Sequence, residues 1–331
     1  MSDDRAVAEA LLGRTVDALA GLSGGGNNRL FQVLAGNDRF VMKRYDAGDA
    51  SSQQRLRRET AAARFLAGTA LADRVPRLVG ADEAGCAALF DWVAGAPLRE
   101  RGVGEFAQMI AFVADLRAAS AEVAAGELGA AAEACLSSDE LAQQIDRRRQ
   151  RLGELEDEPA LSGYLARFDR AWRPLRAVLA EDVGVLPRER RTLSPSDFGF
   201  HNALRRPDGR LVFLDFEYFG WDDPAKLTAD ILWHPGMMLR DDEASLARQA
   251  LERLFAPYDP DFLRRLAQVL PAYGLRWCLI LLNEFLPERW TRRRQANAFD
   301  EIEWGAARQR QLAKAEQMIA RVEACSAESM Q

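Results

Sequence analysis

Apolar and polar positions change their rhythm about a hundred residues into the chain. Arg29–Leu34 and Arg39–Tyr45 are short β-favouring runs. Between them, Ala35-Gly36-Asn37-Asp38 has turn chemistry, so the pair predicts a hairpin. A glycine-rich connector, Ser23-Gly24-Gly25-Gly26-Asn27-Asn28, precedes it. Ser51 or Ser52 can cap a helix that runs to about Ala67, with Leu56, Ala63, Phe65 and Leu66 on its apolar face. Arg77–Ala81 and Cys86–Val93 predict two more strands around a turn at Glu83-Ala84-Gly85. From Gly95 onward the period is mostly helical. Helices are predicted over 104–124, 138–152, 161–180, 243–256, 260–285 and 300–323, and another begins near Pro224 and ends at His234. A β-like island over 192–217 interrupts them, and Pro207-Asp208-Gly209 marks a turn in its second half. Strands do not alternate with helices, so the class is α+β. A β-rich N-terminal part with one helix (1–93) precedes a larger, mainly helical part (94–331), the change falling at Trp92–Pro97.

Composition adds limits. A length of 331 residues accommodates two such parts. The net charge of -6 argues against a nucleic-acid footprint and against attraction to anionic membranes. Cys86, Cys135, Cys278 and Cys325 have no metal-type spacing. No secretory pattern opens the chain and no apolar run approaches 18 residues, which together predict a reduced, cytoplasmic protein. Of the 44 basic residues only three are lysines: Lys43, Lys226 and Lys314. The arginine excess reads as compositional bias. A lysine is therefore a position to question, because the two cations are not interchangeable at every site.

The candidate chemistry lies in the β-like island. It reads Asp197-Phe-Gly-Phe-His-Asn202 and then Leu211-Val-Phe-Leu-Asp215-Phe-Glu217. Two carboxylates and an amide in apolar, strand-like surroundings suit a magnesium ion, which prefers oxygen ligands. They also suit phosphoryl transfer, in which an aspartate orients the attacking hydroxyl.

Asp197, Asn202 five positions later, and Asp215 at the end of the next strand resemble the catalytic and metal loops of the aminoglycoside phosphotransferase family. That family is similar to choline kinases and, more distantly, to protein kinases. Gly220-Trp-Asp-Asp223-Pro224 resembles the glycine and Asp-Pro that follow its metal loop. The resemblance implies a two-lobed protein-kinase-like fold that binds ATP and Mg2+ and phosphorylates a small-molecule hydroxyl. Asp197 is then the catalytic base or the residue that orients the hydroxyl, Asn202 and Asp215 are the magnesium ligands, and Glu217 lies near the metal or the acceptor. Lys43 falls where the family has its phosphate-binding lysine, and Glu59 on the next helix is its implied partner. Ser23, Gly24, Gly25 and Asn27 belong to the implied loop over the phosphates, and Asp91 and Val93 to the adenine-binding hinge. Where the family usually has His-Gly-Asp, this chain has Pro195-Ser196-Asp197. The departure bears on rate and loop geometry more than on reaction type.

Single residues fit plainer roles equally well. A strand lysine is often a solvated edge residue, and Glu59 fits a surface charge mesh with Arg55, Arg57, Arg58 and Arg64. The order and spacing of the whole set favour the kinase-like reading. For the acceptor, Glu217, Asp222, Asp223, Asp230 and Glu284 are candidates for an acidic wall suited to a cationic molecule, with Trp233, Trp277 and Trp290 as stacking surfaces. Aminoglycosides, amino alcohols and sugar-like metabolites are the candidate acceptors. A nucleotide-binding pseudokinase without turnover is the rival reading. A protein kinase is disfavoured, because Asp215 and Gly220-Trp-Asp-Asp-Pro leave no room for an activation segment.

Overall fold

The computed structural model describes residues 2–22, 28–98, 100–155, 158–180, 184–237, 239–287 and 301–329. They form two compact units, Met1–Ala134 with Thr192–Trp221, and Cys135–Arg191 with Asp222–Gln331. In the first, α1 (Ser2–Leu12) precedes β1 (Ala18–Leu22), β2 (Arg29–Ala35) and β3 (Asp38–Arg44). Next come α2 (Ala50–Leu66), β4 (Leu78–Asp82) and β5 (Ala87–Asp91). The five strands make one antiparallel sheet in the order β1-β2-β3-β5-β4. The expected hairpin turns through Gly36-Asn37, with Gly36 at φ +62, where a β-carbon is penalised. Neither α1 nor β1 is among the predicted elements. The first is rich in alanine and charge, and the second is five residues long with a glycine inside.

Alternation gives the sheet two different faces. Phe31, Val33, Phe40, Met42 and Leu89 pack with Ala8 of α1 into one core cluster. Tyr45, Leu56, Ala63, Ala88 and Phe90 form a second cluster on the α2 side. Lys43 shares strand parity with Tyr45, pairs with Leu30 and Ala88 in register, and is buried. Asp49, rather than either serine, caps α2: its Oδ1 accepts the Ser51 N–H at 3.0 Å and its Oδ2 accepts both serine hydroxyls.

Beyond β5 the chain forms β6 (Ala96–Pro97) and α3 (Val103–Ala119). α3 stops short of the predicted residue 124. The Ser120 hydroxyl bonds back to the Leu116 carbonyl and accepts the Leu193 N–H at 3.0 Å. After α4 (Ser138–Gly153) and α5 (Pro159–Leu179), the chain returns to the first unit as β7 (Thr192–Ser194), β8 (Ala203–Arg205) and β9 (Leu211–Phe213). β6 pairs with β8 and β8 with β9. That pairing explains why the change of pattern at 93/94 falls inside the first unit. The second unit is helical throughout, adding α6 (Pro224–Trp233), α7 (Asp241–Phe255), α8 (Phe262–Leu281) and α9 (Glu301–Ser329). A 3-10 turn at Leu282–Phe285 replaces the last turn of the helix expected to end at 285. Phe262–Phe285 is apolar and long enough by composition to cross a membrane, but 78% of its most apolar window is buried within the protein.

Candidate active site

One cavity of about 700 Å³ in the first unit gathers most of the predicted residues. Leu30, Val41, Val75, Phe90, Leu204 and Leu214 line an apolar part. Lys43, Glu59, Asp197, Asn202, Asp215 and Glu217 line a polar part.

The centre of the polar part is Lys43. Its Nζ lies 2.7 Å from Glu59 Oε2, 2.6 Å from Asp215 Oδ1 and 3.3 Å from Glu217 Oε2. Burial pulls the ammonium down, but Glu59, Asp215, Tyr45 and Glu217 more than offset this and hold it well above the ordinary lysine value. Glu59 is thus a buried partner rather than a member of a surface mesh. Its Oε2 also accepts the Tyr45 hydroxyl. Sequence reasoning missed Tyr45, although its place two residues after Lys43 on one strand puts both on one face. Burial raises the Asp215 carboxyl, and Glu59 and Glu217 raise it further against the pull of Lys43, to about 6.

Glu217 belongs to this centre rather than to an outer acceptor wall. It is buried, its Oε2 accepts from Asn28 Nδ2 at 2.6 Å, and its Oε1 lies 3.7 Å from Arg55 Nε. Asn28 closes the glycine-rich connector that the resemblance places over the phosphates, and Arg55 falls in the expected surface mesh; sequence reasoning did not foresee their contacts to Glu217. Ser23, Gly24, Gly25 and Asn27 lie outside the described residues.

The second group is a closed loop. The Asp197 N–H donates to the Pro195 carbonyl at 2.9 Å, and Asn202 Nδ2 donates to the Asp197 carbonyl at 3.0 Å. The Asn202 carbonyl accepts the Leu214 N–H at 2.8 Å, which ties this loop to the segment that leads from β9 to Asp215. Ser196 (φ +64) and Asp215 (φ +67) both hold the left-handed region, at a cost on the order of 1 kcal/mol each. Such strain gathers where a side chain must be aimed. His201 Nε2 sits 3.0 Å from Asp197 Oδ1, a contact that sequence register did not assign.

At the other end, the Asp91 N–H donates to the Arg77 carbonyl and the Trp92 N–H to the Arg39 carbonyl. The Asp91 carboxylate is bonded to Arg77 Nε and Nη2. Val93 lines the cavity, and Gly95 lets the chain pass close to β8: a β-carbon there would meet the Arg205 carbonyl oxygen at 2.9 Å.

The remaining acidic-wall candidates are corrected by their partners. Asp223 caps α6 through the Ala225 N–H and forms a bidentate pair with Arg265. Asp230 accepts from Trp277 Nε1 at 2.8 Å and lies 2.9 Å from Lys226 Nζ. Asp222 lies 2.8 Å from the same ammonium and is fully buried. Glu284 is buried as well. Trp233 donates to the Leu270 carbonyl inside the second unit, so neither it nor Trp277 offers a stacking surface, while Trp290 lies outside the described residues.

An apolar slot leading to a paired lysine and a run of carboxyl and amide oxygens has the makings of a nucleotide phosphotransferase. The comparisons lead to the same class. A profile described as the phosphotransferase enzyme family matches residues 18–260; the chain belongs to that family and is a small-molecule phosphotransferase. No curated protein sequence matches significantly. Among solved structures, a thermostable mutant of aminoglycoside phosphotransferase APH(4)-Ia, crystallised with ADP and hygromycin B, is 18% identical with a TM-score of 0.60, over 96% of this chain and 97% of that one. Choline kinase LicA from Streptococcus pneumoniae is 15% identical with a TM-score of 0.57, over 97% and 98%. Spectinomycin phosphotransferase APH(9)-Ia, crystallised with ADP and spectinomycin, is 10% identical with a TM-score of 0.61, over 96% and 98%. At such identities the likeness is one of fold, here the two-lobed protein-kinase-like fold.

Proposed function

We propose that this enzyme transfers the γ-phosphate of ATP to a hydroxyl of a small molecule, with Asp197 taking the hydroxyl proton. The observation that carries the reading is the sharing of one cavity by the Lys43–Glu59 pair, Asp197, Asn202 and Asp215. The apolar slot suits a purine base, received by the hinge around Val93. Lys43, fixed by Glu59 and Tyr45, presents its ammonium to phosphate oxygens.

The donor set fits a magnesium ion. Glu59, Asp215 and Glu217 offer oxygens that all lie within 4.8 Å of one another. Lys43 lies against all three carboxylates and Arg55 against Glu217. Asn202 uses its amide nitrogen on the Asp197 carbonyl, so its amide oxygen remains for a cation. Asn202 and Asp215 would hold magnesium, which when bound neutralises charge on the transferring phosphate. Asp197 would orient the hydroxyl and accept its proton as the O–P bond forms.

The acceptor is proposed as an aminoglycoside, an amino alcohol or a sugar-like metabolite. The ligands named for the solved relatives support that range. The cytoplasm is the proposed site of action, because ATP is there and the four cysteines are free thiols.

Coupled ADP release across these three acceptor classes tests the proposal, with Asp197→Asn as the blank. Turnover of one class with about a 10²–10⁴-fold loss in the variant is expected. Nucleotide binding without magnesium-dependent turnover of any class would instead favour the pseudokinase reading, and unchanged turnover in the variant would remove Asp197 from its role.

A further inference from the structure

We propose that His201 is the positioning residue for Asp197: its Nε2–H holds one carboxylate oxygen and so fixes the plane in which the acceptor's proton is taken. The inference rests on the reading of Asp197 as proton acceptor and adds a residue to it.

The loop sequence Asp197-Phe-Gly-Phe-His-Asn202 sorts its side chains by character. Phe198 and Phe200 are buried. Phe198 stacks on Phe112 at 5.3 Å and packs at a tilt against Phe213 at 4.8 Å, and the Arg101 guanidinium lies 5.3 Å from the centre of the Phe200 ring. Asp197, His201 and Asn202 line the cavity instead. Two buried rings therefore peg the backbone between the aspartate and the histidine. The 3-10 turn Phe200–Asn202 closes it, with the Asn202 N–H on the Gly199 carbonyl at 3.1 Å. The His201–Asp197 contact at 3.0 Å is partly exposed, and the peg fixes the backbone that carries both side chains.

An aspartate's last torsion is broad and roughly two-fold, so an unheld carboxylate spreads its oxygens over many directions. In this loop Asn202 holds the Asp197 carbonyl and His201 holds the Asp197 carboxylate. The donor direction follows from chemistry: an ionised carboxylate has no proton to give, so the proton lies on Nε2. No side-chain donor can come from two residues upstream, because that position is Pro195. Ser196 Oγ, which is buried, makes no hydrogen bond among the described residues.

The test has two arms. The first needs no substrate. The chain has two histidines, so a ¹H–¹⁵N correlation of imidazole nitrogens shows two ring systems, and His201→Gln assigns them. At pH 8 the expected result is an Nε2–H tautomer at His201 whose signals move in Asp197→Asn. An Nδ1–H tautomer, or signals indifferent to Asp197→Asn, overturns the proposal. The second arm is kinetic. His201→Leu should lower kcat by about 10- to 100-fold with little change in KM for ATP. His201→Gln, whose Nε2 can still donate, should recover most of the loss. Full kcat in His201→Leu overturns the proposal, as does a Gln variant no better than Leu. The two readings fail separately. An active Asp197→Asn removes the base, whereas an inactive Asp197→Asn beside a fully active His201→Leu removes only the positioning role.

Discussion

Two of the three lysines sit in buried carboxylate clusters, and the clusters differ in access. Around Lys226, the Asp222 and Asp230 carboxylates meet the cations Lys226 and Arg276. Every member is at most 5% exposed in its side chain. Burial lowers the Lys226 ammonium, but Asp222 and Asp230 outweigh it and keep it above the ordinary lysine value. Around Lys43, Glu59, Asp215 and Glu217 meet the ammonium, and the Asp215 side chain is 37% exposed in the wall of a cavity. A sealed cluster has no access for a ligand and orders its own helices. An open carboxylate cluster in a cavity wall is reachable by a cation, and holding one is the role proposed for it. Buried ammonium–carboxylate contact alone therefore does not mark function; access does.

The largest expected effect breaks the sealed cluster. Lys226→Met leaves Asp222 and Asp230 buried without their shared ammonium, and stability should fall by about 3–5 kcal/mol. Urea unfolding measures it. A loss below about 1 kcal/mol would mean that the cluster is not sealed. Asp222→Asn and Asp230→Asn together should return part of the loss, because they remove the stranded charges.

Lys43→Met should reverse the pattern. The carboxylates it leaves can take up water or protons from the cavity, so unfolding should cost much less than in Lys226→Met. Turnover should fall by about 10²–10³-fold, the range for removing one preorganised donor to developing charge. Tyr45→Phe should give a smaller loss, since Glu59 then keeps one donor instead of two.

How much of this contrast the chain announces depends on the range of the contacts. The β2–β3 hairpin was legible, because alternation and a two-residue turn are local. That Asp197, Asn202 and Asp215 would come together was legible from their motif spacing, and they line one cavity. The fate of Asp223 was not, because its partner Arg265 lies 42 positions away. Asp222, Lys226 and Asp230 did carry a signal: they are spaced four apart, so Lys226 and Asp230 share one face of α6 and Asp222 meets Lys226 from just ahead of the helix. Acidity by itself suggested a surface wall, whereas the i, i+4 spacing pointed to an internal pair. Burial of Glu217 under Lys43 depends on packing between 217 and 43, which no local pattern encodes.

Titration sharpens the comparison at the open cluster. Asp215 is pushed up to about 6 by burial first, and by Glu59 and Glu217 against Lys43. The folded protein thus holds this proton to higher pH than the unfolded chain does. Between about pH 4 and 6 the metal-free protein should lose stability as pH rises, the opposite of an ordinary paired carboxylate. Magnesium uptake needs the ionised form, so it should strengthen through the same window and level off above it. Calorimetric titration of magnesium with a non-hydrolysable ATP analogue at pH 5, 6 and 7 reads this directly. Asp215→Asn should flatten the profile, and an equally steep profile in that variant would assign the proton to another group.

The smallest expected effect concerns the hinge, where the same charge chemistry occurs at the surface. Arg77 and Asp91 pair in bidentate fashion, but their side chains are 66% and 35% exposed. An exposed pair contributes about 0.2–1 kcal/mol, because water competes for both charges and two long side chains must be held. The Asp91 carboxylate is thus taken up by Arg77, and under the proposed function the base would be received by main-chain atoms nearby. Asp91→Asn preserves those atoms, so KM for ATP should change by less than about threefold and stability by under about 1 kcal/mol. High salt should erase even that difference, as it screens solvent-exposed charges and leaves buried pairs largely intact. A tenfold or greater rise in KM would instead make Asp91 a direct ligand. The cavity would then hold a second functional carboxylate that owes its role neither to burial nor to a lysine.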